Sequence, residues 1–435
     1  MISSPIGKYF PDYGGVYLSK YISEKNKQDT GINLILVLFA VTVIVLSLIL
    51  SAPIFAKENT DNDSNINASD KIYIQKNFEE NIKNKYSGSY IDFPTKGIAH
   101  IKQTKYINSK PIKINIVELN TKVNPYLKIK PQIAGEKLNS KKTVRKIAQK
   151  ENSIIAINGG FFKPQTGVPL GALMIDGEIL TGPIFNRVGV GIFDNGNNTE
   201  FLMDKIGIKI DAYTDDQVIP INNINQPRML STYTLLYTSA WGKNSPVAPK
   251  NCYNLLVVNR KITKISANPI ELSQNSYVIQ APKDIITKLA KKNKEIDIKF
   301  QLQDNLKYAD HIIGAGPYLV KDSKIYVDYA EQKLSAIQGI NPRSAIGYKA
   351  DGTFIIVTVD GREKSSVGMT LVELAKYMKS IGCEYAMNFD GGSSSALYVK
   401  GKIVNTAINS EGIAVSNALV VNETYASDVQ ISSLN

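Results

Sequence analysis

The chain has 435 residues, 43% of them hydrophobic, which is enough for one large domain or two to three ordinary ones. Its net charge of +12 is scattered among Asn, Ile and Asp rather than gathered into a block. That argues against a nucleic-acid partner, whose electrostatic footprint is a concentrated patch, and suits anionic lipids or anionic wall polymers.

Residues 1–31 read as an N-terminal arm and are followed by INLILVLFAVTVIVLSLILSAPIFA, an uncharged run over 32–56. About 20 such residues suffice for a membrane-spanning helix. Lys20, Lys25 and Lys27 precede the run, and Glu58, Asp61, Asp63 and Asp70 follow it. The positive-inside rule then predicts a single-pass membrane protein with a cytoplasmic N-terminus and its remaining chain outside. The competing expectation is a signal peptide cleaved after Ile54-Phe-Ala56, giving a secreted protein. Residues 57–97, rich in Asn, Asp, Lys and Ser, read as a polar spacer. A globular domain is expected over 98–425.

Within that domain, Lys141 to Lys150 has the helical spacing of Val144, Ile147 and Ala148. It leads into the apolar stretch Ser153–Ile157 and the loop Asn158-Gly-Gly-Phe-Phe162. Further on, Phe354–Val359 is a β-branched run ending at Asp360-Gly-Arg362. Thr370-Leu-Val-Glu373 has the capping-box pattern, and the helix it starts carries Leu371, Leu374, Ala375 and Met378 before stopping at Gly382. Glu384–Phe389 then reads as a strand that delivers Asp390. Residues 354–390 thus have the size of a strand–helix–strand crossover. The expected class is α/β (mixed α+β), with at least one parallel unit of this kind and a site at strand carboxyl ends. Asp360 and Asp390 should then project into one crevice, joined by Asn158.

The loop Asp390-Gly-Gly-Ser-Ser-Ser has two readings. It is either a hairpin turn or a ligand edge, because the glycines let backbone N–H groups approach a ligand closely. No Gly-Lys-Ser/Thr follows, so it is not a P-loop. The serines are not a nucleophile elbow either, since no His lies beyond His311; they read as hydrogen-bond donors. Arg343, in Asn-Pro-Arg-Ser, and Arg228, in Asn-Gln-Pro-Arg, are surface ion-pair partners or phosphate ligands. His311 reads as structural. Cys252 and Cys383 fit no metal-ligand spacing and read as two buried thiols, with pairing as the alternative. No metal or cofactor is called for. The residues by themselves point to hydrolysis or binding of a polar, anionic ligand.

Seven segments occur in one order: AINGGFF, LYTSAWG, GAGPYLVKDSKI, NPRSAIGY, VTVDGR, GMTLVELAKYMKSIG and MNFDGGSSSALYVKGKIVN. Together they resemble the phosphodiester glycosidase family over residues 154–421. The resemblance implies cleavage of a sugar-1-phosphodiester in a glycan, wall polymer or exopolysaccharide, releasing a free sugar and a phosphomonoester. It assigns Asn158, Gly159, Gly160, Arg343, Asp360, Arg362, Asn388, Asp390, Gly391, Gly392, Ser394 and Ser395 to the family's motifs. The expected roles are Arg343 on the phosphate, Asp390 at the anomeric centre, and Asp360 and Asn158 orienting substrate or water. Gly159, Gly160, Arg362, Asn388, Gly391, Gly392, Ser394, Ser395 and Arg228 are the expected substrate contacts. Ser393 stands where the family has a third glycine, so the loop is strained if that position needs a positive φ. Two other classes stay open: a polysaccharide- or wall-binding domain that does not cut, and a structural domain that serves protein contact.

Overall fold

The computed structural model describes residues 68–196, 198–290 and 295–424. The run 32–56, expected as a transmembrane helix, lies outside the described residues. No helix among those described is long and apolar enough to cross a membrane. On that finding the single-pass placement, with the domain facing outward, is withdrawn.

The described chain is predominantly β. Five sheets are present, one of eight strands, three of five and one of three. The eight-stranded sheet runs in the order Tyr90–Thr95, Ile98–Ile107, Lys110–Leu119, Phe354–Val359, Arg343–Tyr348, Tyr385–Asn388, Tyr318–Lys321 and Lys324–Ile325. A five-stranded sheet carries Lys402–Ile403, Leu397–Val399, Ile155–Asn158, Asn417–Glu423 and Leu127–Ile133 in that order. Among the described residues every strand pair is antiparallel except Asn223–Ile224 against Leu235–Thr238.

This overturns the α/β expectation. Phe354–Val359 and Tyr385–Asn388 are both in the large sheet but are not neighbours. Arg343–Tyr348 lies between them, antiparallel to both, with Ala345 opposite Val357 on one side and Asn388 on the other. The helix between the two strands has the length for a crossover, and that length says nothing about which strand fills the gap. An upstream strand fills it, so the parallel pair is replaced by two antiparallel ladders.

Alternation along these strands builds two cores. Ile346, Phe354, Ile356, Met387 and Phe389 face Ile155, Ile157, Leu397 and Leu419 of the five-stranded sheet. Ala345, Ile355, Val357 and Val359 face Leu371, Leu374, Ala375 and Met378 of the helix Leu371–Ser380. Each large apolar side chain buried this way contributes roughly 1.5–3 kcal/mol. The helix starts where the pattern says. Thr370 Oγ1 accepts from Glu373 N at 3.2 Å and Glu373 Oε2 accepts from Thr370 N at 2.8 Å. The shorter helix Val144–Lys150 is capped by Thr143 and buries Val144, Ile147 and Ala148.

Part of the segment read as a polar spacer is packed structure. It holds the helix Ala68–Lys85 and the strand Tyr90–Thr95. Phe78, Ile82 and Tyr86 recur at the four-residue spacing of one helical face and are buried in the second core. Lys85 Nζ and Tyr86 Oη donate to Glu118 Oε1, and Lys349 Nζ donates to Glu118 Oε2 at 2.6 Å, so the buried carboxylate is fully partnered. Cys252 and Cys383 are both buried and unpaired. His311 Nδ1 accepts from Asp176 N at 3.0 Å, a structural bond.

Candidate active site

The site begins at the end of the strand Ile155–Asn158. Asn158 is buried, and its side chain ties three segments together. Oδ1 accepts from Ser344 Oγ at 2.7 Å and from Ala396 N at 3.2 Å, while Nδ2 donates to the Asp390 carbonyl at 2.6 Å. The two glycines that follow permit close approach. A Cβ at Gly159 would lie 1.9 Å from Asn417 Oδ1, and one at Gly160 would lie 2.4 Å from the Gly314 carbonyl. Their N–H groups donate to Asn417 O and Asn417 Oδ1, both at 3.0 Å. These glycines seat the loop on its neighbours.

Asp390 arrives from the large sheet, two residues past the strand Tyr385–Asn388. Its N–H donates to the Gly159 carbonyl at 3.2 Å, which joins the two sheet ends. Oδ2 accepts from Ser394 Oγ at 2.6 Å and Oδ1 from Gly391 N at 3.0 Å. The chain turns back through a short 3-10 helix, Gly392–Ser394. Gly392 holds φ at +61°, a conformation that L side chains rarely adopt. Ser393 has no positive φ, so the strain expected from its replacement of a glycine is absent.

The half-buried Asp390 carboxylate and Ser394 line a cleft of about 430 Å³ together with Lys141, Phe161, Phe162, Pro164, Ile413 and Ala414. Burial pushes the Asp390 pKa up to about 6, against the opposing hydrogen bonds from Ser394 and Gly391. Such a group is ionised at neutral pH and still basic enough to take a proton. A larger groove of about 710 Å³ runs along Ile208–Tyr213 and Asp297–Leu302 and holds none of the expected residues.

Asp360, one residue past the strand Phe354–Val359, lies at the same end of the large sheet but does not line the cleft. Its carboxylate is occupied: Oδ1 accepts from Thr406 N at 3.0 Å and Oδ2 from Thr406 Oγ1 at 2.8 Å. Burial raises its pKa and the Thr406 bonds counter that rise. The neighbouring Asn405 accepts from Leu397 N at 2.7 Å and donates to the Ser395 carbonyl at 3.1 Å. Asp360 therefore anchors the segment that returns to the Asp390 loop.

The arginines separate. Arg343 is only 2% exposed. Its Nε donates to the Met369 carbonyl at 2.8 Å, and its Nη2 donates to the carbonyls of Ile337, at 2.9 Å, and Gly339. Burial holds its pKa down at about 10. It backs the Asp390 loop, since a Cβ on Gly391 would lie 3.9 Å from Arg343 Cδ. Arg362 is exposed, with φ at +64°, and bonds Ser393 Oγ at 3.2 Å and Asn341 Oδ1 at 2.9 Å. Arg228 is not brought to this group: it bonds Gln280 Oε1 at 3.0 Å and the Leu230, Ser231 and Tyr233 carbonyls. Asn388 Nδ2 donates to the Gly316 carbonyl at 3.0 Å, and the buried Ser395 Oγ has no hydrogen-bond partner among the described residues. Sequence reasoning did not single out Lys141, Phe161 or Phe162. The two phenylalanines stand inside AINGGFF, but nothing local marks them as cleft walls.

Residues 252–422 match the family model of the phosphodiester glycosidases. A SPbeta prophage-derived uncharacterized protein of Bacillus subtilis (strain 168) is 36% identical over 130 residues, 30% of this chain; the chain spans 19% of that protein's length. The fold is similar to a hypothetical protein from Synechocystis, with a TM-score of 0.70 and 23% identity, covering 77% of this chain and 63% of that one. A zebrafish N-acetylglucosamine-1-phosphodiester alpha-N-acetylglucosaminidase catalytic domain aligns at a TM-score of 0.41 and 16% identity, covering 78% of this chain and 86% of that one.

Proposed function

We propose, from the phosphodiester glycosidase domain that residues 252–422 carry, that this protein hydrolyses a sugar-1-phosphodiester in a phosphorylated glycan or anionic wall polymer. One observation carries the reading: a carboxyl group with its pKa near 6, Asp390, is held by Ser394 and Gly391 at a cleft walled by Phe161 and Phe162. Aromatic faces suit the apolar side of a sugar ring. The ionised carboxylate suits a cationic anomeric centre or an attacking water.

In the reaction a water oxygen bonds to the anomeric carbon and the water proton passes to Asp390. The bond from that carbon to the phosphate oxygen breaks, and its electron pair leaves on the phosphate. A phosphomonoester is a good leaving group, so no histidine acid is required. Asn158 positions Asp390 by holding its carbonyl, and Asp360 positions the 405–406 segment through Thr406. Arg343 supports the loop from behind, and Arg362, the exposed cation beside Ser393, meets the outer part of the substrate.

The test is to incubate the full chain with a panel of sugar-1-phosphodiesters and measure reducing sugar and phosphomonoester together. Equal release of both, abolished in Asp390→Asn, is expected. Retention of a phosphorylated polymer without release would favour the non-cutting binding domain instead.

A further inference from the structure

We propose that Lys141 is the residue that selects a negatively charged leaving group in the Asp390 cleft; this rests on the hydrolase reading above. Five of the residues lining the cleft are apolar: Phe161, Phe162, Pro164, Ile413 and Ala414. The polar ones are Asp390, Ser394 and Lys141, so among the described residues the cleft has a single cationic group. A phosphodiester brings one negative charge beside the Asp390 carboxylate, and two like charges among apolar walls repel strongly. Binding needs a compensating cation. Neither arginine of the family motifs lines the cleft, because Arg343 is committed to backbone carbonyls and Arg362 to Ser393 and Asn341.

Lys141 is placed for that task by the chain on both sides of it. The next residue, Lys142, forms an antiparallel bridge with Val415, N–H to carbonyl at 3.0 Å and 2.9 Å, which holds Lys141 at the edge of the cleft that Ile413 and Ala414 also line. The stem packs on the 163–167 turn, where a Cβ on Gly167 would lie 2.9 Å from Lys141 Cγ. Nζ donates to the Pro164 carbonyl. An ammonium has three donors, so two remain for a ligand. As the anomeric bond breaks, the leaving phosphate goes from one negative charge to two. Lys141 therefore stabilises the departing group more than the bound substrate, and acts on kcat as well as KM.

The experiment compares wild type, Lys141→Ala and Lys141→Arg on a sugar-1-phosphodiester and on an aryl glycoside of the same sugar with an uncharged leaving group. Losing one charge-assisted contact should lower kcat/KM for the phosphodiester by about 10- to 100-fold. Lys141→Arg should keep most of it, and the neutral glycoside should change less than about threefold. Titration with inorganic phosphate, followed by calorimetry, should show weaker binding to Lys141→Ala in the same proportion. An equal loss on both substrates, or unchanged phosphate binding, overturns the proposal. If wild type turns over no phosphodiester, the hydrolase reading fails, and the phosphate titration still decides whether Lys141 is the anion contact.

Discussion

Replacing Asp390 with Asn should make the protein more stable and less active at once. The carboxyl titrates near 3.8 when free and at about 6 in the fold, because burial opposes its charge. At about 1.4 kcal/mol per pK step, the folded state carries about 3 kcal/mol of opposition to the ionised form. As pH rises past 3.8 the unfolded chain ionises first, and the folded chain follows only near 6. Stability is therefore lost across roughly pH 4–6 and stays level above that. An amide has no charge to lose, so its advantage is absent at pH 4 and complete above pH 6. Part is offset, because the Ser394 hydroxyl must turn to accept from the amide instead of donating to Oδ2, a change of about 1 kcal/mol. The net expectation is a gain of about 2 kcal/mol at pH 7.5 and a loss of about 1 kcal/mol at pH 4, measured by urea unfolding of the full chain. Turnover of a sugar-1-phosphodiester should fall by about 10²- to 10⁴-fold. Wild-type kcat should itself decline as pH drops through about 6. Equal stability of the two proteins at both pH values, or near-normal turnover by the variant, would refute the placement of Asp390 in a desolvated, reactive cleft and make it a turn residue.

Arg343→Ala should cost about 3 kcal/mol or more, because the carbonyls of Met369, Ile337 and Gly339 lose a buried donor. A denaturation midpoint checks this, and a raised KM with unchanged stability would return Arg343 to a phosphate-binding role. Gly159→Ala should destabilise by about 1–3 kcal/mol through the 1.9 Å approach of the new Cβ to Asn417 Oδ1. Adding Asn417→Ala removes that oxygen, so the double variant should recover at least about 0.5 kcal/mol relative to the sum of the single changes; strict additivity would count against the contact.

What the sequence by itself determined was local. The capping box at Thr370 and Glu373, the apolar spacing of Leu371, Leu374, Ala375 and Met378, and the β-branched run Phe354–Val359 are decided by groups a few residues apart, and each is found where it was expected. The end of the helix at Gly382, with φ at +93°, belongs with them. Tertiary structure decided which strands pair: the same crossover accepts a parallel neighbour or an inserted antiparallel strand, and Arg343–Tyr348 took the place. It also decided what became of the polar segment before residue 98, whose stripe of Phe78, Ile82 and Tyr86 is weak until the large sheet lies against it. Motif membership identified Asp360, Arg343 and Asp390 alike. Their differing surroundings come from Thr406, from the Met369, Ile337 and Gly339 carbonyls, and from a cleft shared with Lys141. A side chain's charge and reach are written in its residue type. Whether it meets solvent, a carbonyl or a ligand depends on segments far away in the chain, and folding alone brings those into contact.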